Sequence, residues 1–306
     1  MSFSWNIVTD LRAMWQWAFI RNAFEAGGIA SIMAGIVGYL VVLRRSAFAT
    51  HALGHGGFSG AAGAVLFGVN PLYGLLLATS TGGVGMALAG KRATTRDVEI
   101  GTILAFMLAL GLVFLSLYKG YASEAYTILF GEILGISTAE VLLMLEVSIG
   151  VVVVMALVYR PLLFSSLDPD VAEAKGLPMM ALGLIFMLLV AVAISFSVTV
   201  VGVLLIFALM VTPAATAVRL TQRPIYAVTA SVLLAVASTW TGLTLAWFAS
   251  SYWPYPVSAF PASFFIVTIA FCIYVAVRVG LWVARVWVHP LPTKSSEDLE
   301  PVSEGV

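Results

Sequence analysis

Two histidines one helical turn apart, His51 and His55, are the residues of this chain best suited to chemistry. They lie in the run Ala-Phe-Ala-Thr-His-Ala-Leu-Gly-His-Gly-Gly-Phe-Ser-Gly, residues 47–60. Side chains at i and i+4 share one face of a helix, so both imidazoles can reach one metal ion. Neutral imidazole is a borderline ligand that suits zinc, and also manganese, iron, nickel or copper. Two ligands leave a tetrahedral zinc shell incomplete. That suits transient passage, or a site completed by other groups or a second subunit. The competing reading is packing, with the rings hydrogen-bonded between helices. Gly54, Gly56, Gly57, Gly60 and Gly63 favour close helix contact, as small residues do in membranes.

The elements that must hold the pair are membrane spans. The chain has 306 residues, 61% of them hydrophobic and only 10% charged, with a mean hydropathy of +1.04. Long continuous apolar runs, rather than short alternating ones, point to an all-α polytopic integral membrane protein and not a barrel. A span needs about 20 apolar residues. Nine segments qualify, at 22–43, 47–68, 72–90, 98–118, 141–159, 179–197, 199–217, 225–249 and 262–286. The count ranges from eight to ten, because 179–217 is almost unbroken apolar sequence. Residues 1–21 are expected to form an interfacial N-terminal segment, marked by Trp5, Trp15 and Trp17. Residues 22–286 form the transmembrane domain, and the acidic tail 287–306 is expected to be disordered.

Net charge is zero, so no nucleic acid is expected as a partner. The single cysteine, Cys272, excludes a disulfide within the chain and a multi-cysteine metal site. Asp10 and Arg12 interrupt the first 20 residues, so no cleavable signal is expected. With nine spans, twelve of the fifteen lysines and arginines fall on one side, including Arg44, Arg45, Arg160, Lys175, Arg219, Arg223, Arg278, Arg285 and Lys294. That side is the cytoplasmic one by the positive-inside rule. The opposite side carries Arg12, Arg21 and Lys119, and the aromatic, proline-rich loop 250–261.

Between Arg160 and Pro178 the cytoplasmic loop carries its own helix signals. Asp168 is an N-cap, Pro169 fits the first helical position, Asp170 sits in the first turn, and Gly176 closes the end. The result is a helix of about two turns, either a connector or a docking element for a cytoplasmic partner. Glu146 falls inside the fifth span, where a buried carboxylate is costly and marks a pathway by default; otherwise it pairs with a neighbouring helix. Pro213 leaves a carbonyl unpaired in the seventh span, as a hinge or as a static kink. His289 is expected at the interface, and Glu124, Glu132 and Glu140 on an outer solvated face. Gly85–Arg92 is a near miss to a phosphate-binding loop, with Arg92 where magnesium would need a hydroxyl. No ATP site of the chain's own and no enzyme activity are expected.

Five stretches resemble the membrane permease subunits of bacterial ABC-type zinc and manganese importers, the ABC-3 family. Val41-Val-Leu-Arg-Arg-Ser-Ala-Phe48 is similar to that family's VVLRRMAF. Ala47–Gly63 resembles its G-D-A-L-S-H…A-A-L-P-G segment, with His55 on the family histidine, His51 in place of aspartate and Ser59 in place of proline. Tyr126–Gly135 resembles LFGxIL, Leu167–Gly176 resembles FDPExAxxxG, and Val201–Ala217 resembles VGxLLVxALLIxPAATA. The resemblance implies that residues 167–177 are the coupling helix, with Asp168, Pro169, Asp170, Ala172 and Gly176 seating it on the ATPase. It implies a second permease copy, a cytoplasmic ATPase dimer that hydrolyses ATP, and a periplasmic or extracellular metal-binding protein. No cofactor of the chain's own is expected; the divalent metal, expected to be zinc, would be cargo crossing the bacterial inner membrane. The alternatives are a manganese, iron or metal-chelate permease, a stand-alone secondary carrier using Glu146, and a scaffolding protein.

Overall fold

The computed structural model describes residues 12, 14–88, 93–118, 127–131, 133–252 and 261–288. Ten helices are named here: α1 Ala18–Leu43, α2 Ala47–Leu66, α3 Pro71–Leu88, α4 Ala93–Leu117, α5 Thr138–Leu167, α6 Pro169–Ala174, α7 Met179–Val201, α8 Val203–Leu220, α9 Pro224–Tyr252 and α10 Ala262–Val288. Strands are absent among the described residues. Each segment expected to span holds one long helix. Seven are long and apolar enough to cross a membrane: α1, α3, α5 and α7 with parts of α4, α9 and α10. The other two are α2, diluted by two histidines and five glycines, and α8, whose apolar part is Ile206–Leu220.

Two helices form the centre. In α1 and α7, 72% of the most apolar window is buried, against 11% in α10. α1 packs on α5, α7, α8 and α9, and α7 packs on α1, α2, α3, α5 and α8. Small residues and hydroxyls join these helices, because apolar burial gives no net drive between spans in lipid. Ser31 and Thr239 share a hydrogen bond of 2.7 Å between α1 and α9. Thr79 and Ser195 do the same at 2.8 Å between α3 and α7, and the Ser231 hydroxyl donates to the Gly35 carbonyl.

The histidine helix α2 lies among α3, α4, α7 and α8. Gly60 of α2 and Gly74 of α3 face each other so closely that a Cβ on either would meet the other's carbonyl oxygen at 2.1–2.2 Å. Ser59, which stands where the family pattern has proline, donates its hydroxyl to the Met107 carbonyl of α4. The glycine run therefore does serve packing.

Two expectations change. The fifth span does not end at residue 159: α5 runs on through Pro161 to Leu167. Pro161 cannot bond the Leu157 carbonyl, but Leu162 and Ser165 beyond it are buried and hold the extension in place. Glu146 is on α5 but is not buried. The buried stripe runs Val141, Met144, Ser148, Val151 and Met155, and Glu146 falls off that stripe. Glu140 is exposed and closes a capping box with Ser137 at the start of α5. The first eleven residues, the loop 253–260, Glu124, Glu132, His289 and the tail lie outside the described residues.

Candidate functional site

The i, i+4 spacing brings the two imidazoles together on α2. Their ring centres are 4.6 Å apart and the rings stand edge to face at 89°. His55 is buried, with 8% of its surface exposed, and its Nδ1 has no hydrogen-bond partner. His51 is half-buried and its ring packs against Phe207 of α8 at 5.1 Å. A histidine buried only for packing is expected to satisfy its ring nitrogens; the His55 Nδ1 has no protein partner that does so. No group of three or more His, Cys, Asp or Glu forms among the described residues. A metal held here would need further donors from outside this cluster.

Pro213 is buried in α8, six residues beyond Phe207. It removes the bond that the Leu209 carbonyl would otherwise accept, while α8 continues unbroken to Leu220. Phe207, which meets His51, and Pro213 therefore lie on the same helix, α8. Glu146 is not brought to it, since α5 packs on α1, α6 and α7.

The short helix expected at 167–177 is present as α6, Pro169–Ala174. Asp168 caps it by accepting from the Val171 N–H at 3.1 Å, and Pro169 takes the first position. At the other end the Gly176 N–H reaches the Glu173 carbonyl, and the Leu177 N–H reaches the Ala172 carbonyl. With Gly176 at φ +80° this is a Schellman cap. Asp168 and Asp170 are exposed, whereas Ala172 is fully buried. Ala172 thus seats α6 on its own chain and does not face outward.

One connection was not legible in the sequence. Arg44, at the end of α1, donates from Nη1 to the Ser165 hydroxyl at 3.4 Å. Its guanidinium also lies 4.9 Å from the centre of the Phe186 ring on α7. Ser165 is three residues before the α6 cap, and Arg44 is seven residues before His51. Arg44 therefore joins the base of the capped helix to the entrance of the histidine helix. The paired arginines were a signal for membrane sidedness, not for this contact.

Residues 16–279 match the ABC 3 transport family. The manganese transport system membrane protein MntC of Halalkalibacterium halodurans is 27% identical over 219 residues, covering 71% of this chain and 75% of that protein. The manganese import system permease protein ScaB of Streptococcus parasanguinis is 29% identical over 203 residues, covering 66% and 72%. The solved structure of PsaBC from Streptococcus pneumoniae in complex with Fab has the same fold, with a TM-score of 0.77 at 23% identity over 89% of this chain and 95% of that one. This chain is a multi-pass membrane protein that belongs to the ABC 3 transport family.

Proposed function

We propose that the chain is the permease subunit of an ATP-binding-cassette importer for a divalent transition metal, working by alternating access. The observation that carries this reading is the edge-on pair His51–His55, with a buried His55 Nδ1 left without a hydrogen-bond partner. A second copy of the chain, water or cargo-borne ligands would complete the metal's shell. With nine crossings and the basic loops inside, α6 would lie on the cytoplasmic side. There it would act as the coupling helix on a pair of separate ATPases, and a secreted metal-binding protein would deliver the ion on the other face. ATPase closure would move α6 and the end of α5. Arg44 would carry that motion to α2, and the kinked α8 against His51 would shift with it.

Manganese is the first reading for the cargo, since the named relatives MntC and ScaB are manganese transport proteins. Zinc is the second, supported by the softer imidazole of His51 in place of a carboxylate. The test is reconstitution of the permease with its ATPase in proteoliposomes, followed by ATP-dependent uptake of manganese and zinc in competition. ATP-driven uptake of either ion is expected. Uptake that needs a proton gradient and no ATPase would overturn the assignment in favour of a secondary carrier.

A further inference from the structure

Two arginines meet at Tyr274 between α8 and α10, a third lies in the turn from α8 to α9, and the site described above uses none of them. Arg219 lies in the last turn of α8 with its guanidinium 5.7 Å from the centre of the Tyr274 ring on α10. Arg278, one turn past Tyr274, donates from Nη1 to the Tyr274 hydroxyl at 3.2 Å. Arg223, in the turn between α8 and α9, lies 5.9 Å from the Tyr226 ring. All three arginines are exposed. Among the described residues, the charged groups acting on the Tyr274 hydroxyl are Arg219 and Arg278, with no carboxylate. Like charges held around one ring repel each other unless an anion lies between them.

The depth of the cluster identifies the anion. Arg219 and Arg278 each stand sixteen residues past the start of their helix, about 24 Å along the axis. In helices that begin at the opposite face, this is the headgroup edge of a ~30 Å hydrocarbon core. Tyr226 and Trp282, both exposed, mark the same level as an aromatic belt. On the core side of Arg278, α10 presents exposed Phe271, Val275 and Cys272, an apolar track continuous with the cations. A free inorganic anion would have no use for that track, and an acidic protein surface would have to enter the hydrocarbon to follow it.

The geometry points to an inner-leaflet site for an anionic phospholipid, in which Arg219 and Arg278 on either side of Tyr274 donate to the phosphate while an acyl chain lies along Phe271 and Val275 of α10. Guanidinium forks suit phosphate oxygens better than a point-like ammonium does, and basic pockets between spans on the cytoplasmic side take such headgroups. The inference rests on the sidedness proposed above, but lipid binding can be read without metal or ATPase.

The test uses the purified full-length chain and native mass spectrometry with phosphatidylglycerol, phosphatidylcholine or inorganic phosphate added. The wild type is expected to retain phosphatidylglycerol over phosphatidylcholine by about tenfold, with no competition from millimolar phosphate. The double variant Arg219→Gln/Arg278→Gln should lose that preference while its thermal unfolding in phosphatidylcholine stays unchanged. Should that variant misfold, Arg278→Gln alone should weaken the preference and Arg278→Lys restore part of it. Preference retained in a folded double variant overturns the site. So does displacement by phosphate alone, which would mean a soluble anion, or loss of dimers with lipid preference intact, which would mean a protein interface. Removal of the tail beyond Lys294, with its acids Glu297, Asp298, Glu300 and Glu304, should leave the preference unchanged; its disappearance would refute a site built from the arginines.

Discussion

Gly131 and Gly202 meet backbone to backbone, both in the left-handed region, at φ +78° and +87°. Gly202 is the break between α7 and α8, and Gly131 ends the short helical turn at 127–130. Around them Ser263 of α10 donates to the Phe130 carbonyl at 2.6 Å, and Asn22 of α1 donates to the Ile136 carbonyl at 3.0 Å. One corner thus ties α1, α7, α8 and α10 together on the face opposite α6. A Cβ at Gly202 would meet the Leu129 carbonyl oxygen at 2.3 Å, besides the φ that L residues avoid. Gly202→Ala should therefore destabilise the fold by about 1–3 kcal/mol, read as a lower midpoint of thermal unfolding in detergent. Gly150→Ala, where the added Cβ meets nothing within 4 Å, should leave the midpoint unchanged. Equal midpoints for both variants would show that the corner carries no strain.

The histidine pair separates ligation from packing by experiment. Replacing His51 and His55 together with Ala should lower ATP-driven manganese or zinc uptake at least about tenfold, while assembly with the ATPase survives. The rings also fill space, His51 against Phe207 and His55 against His51, so the gentler His55→Gln keeps volume and polarity but not imidazole. Uptake at the wild-type level in His55→Gln would assign the ring to packing. A rise in KM for metal with ATPase turnover unchanged would assign it to the cargo.

Which parts of this were legible in the sequence follows from the range of the forces involved. The caps of α6 are local: Asp168, Pro169 and Gly176 act through backbone groups within four residues, so their types announce the helix. The i, i+4 relation of His51 and His55 is local in the same way. The exposed position of Glu146 is not local, because it depends on which side of α5 meets α1 and α7. The same holds for Arg44 on Ser165, 121 residues away, and for Gly131 on Gly202. The two glycines do lie in segments that resemble family motifs, but a motif does not say that its glycines meet.

Arg44 offers a way to cut the connection between α6 and α2. Arg44→Ala removes both the Ser165 contact and the stacking on Phe186. ATPase activity in the complex is expected to persist while metal uptake per ATP falls. Arg44→Lys keeps the charge but not the planar stacking, and should restore only part of the uptake. Loss of ATPase assembly in Arg44→Ala would place the residue in docking rather than in transmission.

The capped helix itself gives the last test. Asp168→Ala removes the acceptor for the Val171 N–H, at a cost of about 1 kcal/mol to α6, and also deletes an exposed charge. Asp168→Ser restores the cap without the charge. If α6 works by being a rigid helix on the ATPase, Ser should recover uptake and Ala should not. If the charge itself is read by the partner, both variants should fail alike, and Asp170→Asn, which leaves the cap intact, should fail with them. The circular dichroism of the membrane helices should be the same in every variant, since α6 is only six residues long. Wild-type uptake in both Asp168→Ala and Asp170→Asn would sink the coupling role and return α6 to a plain connector.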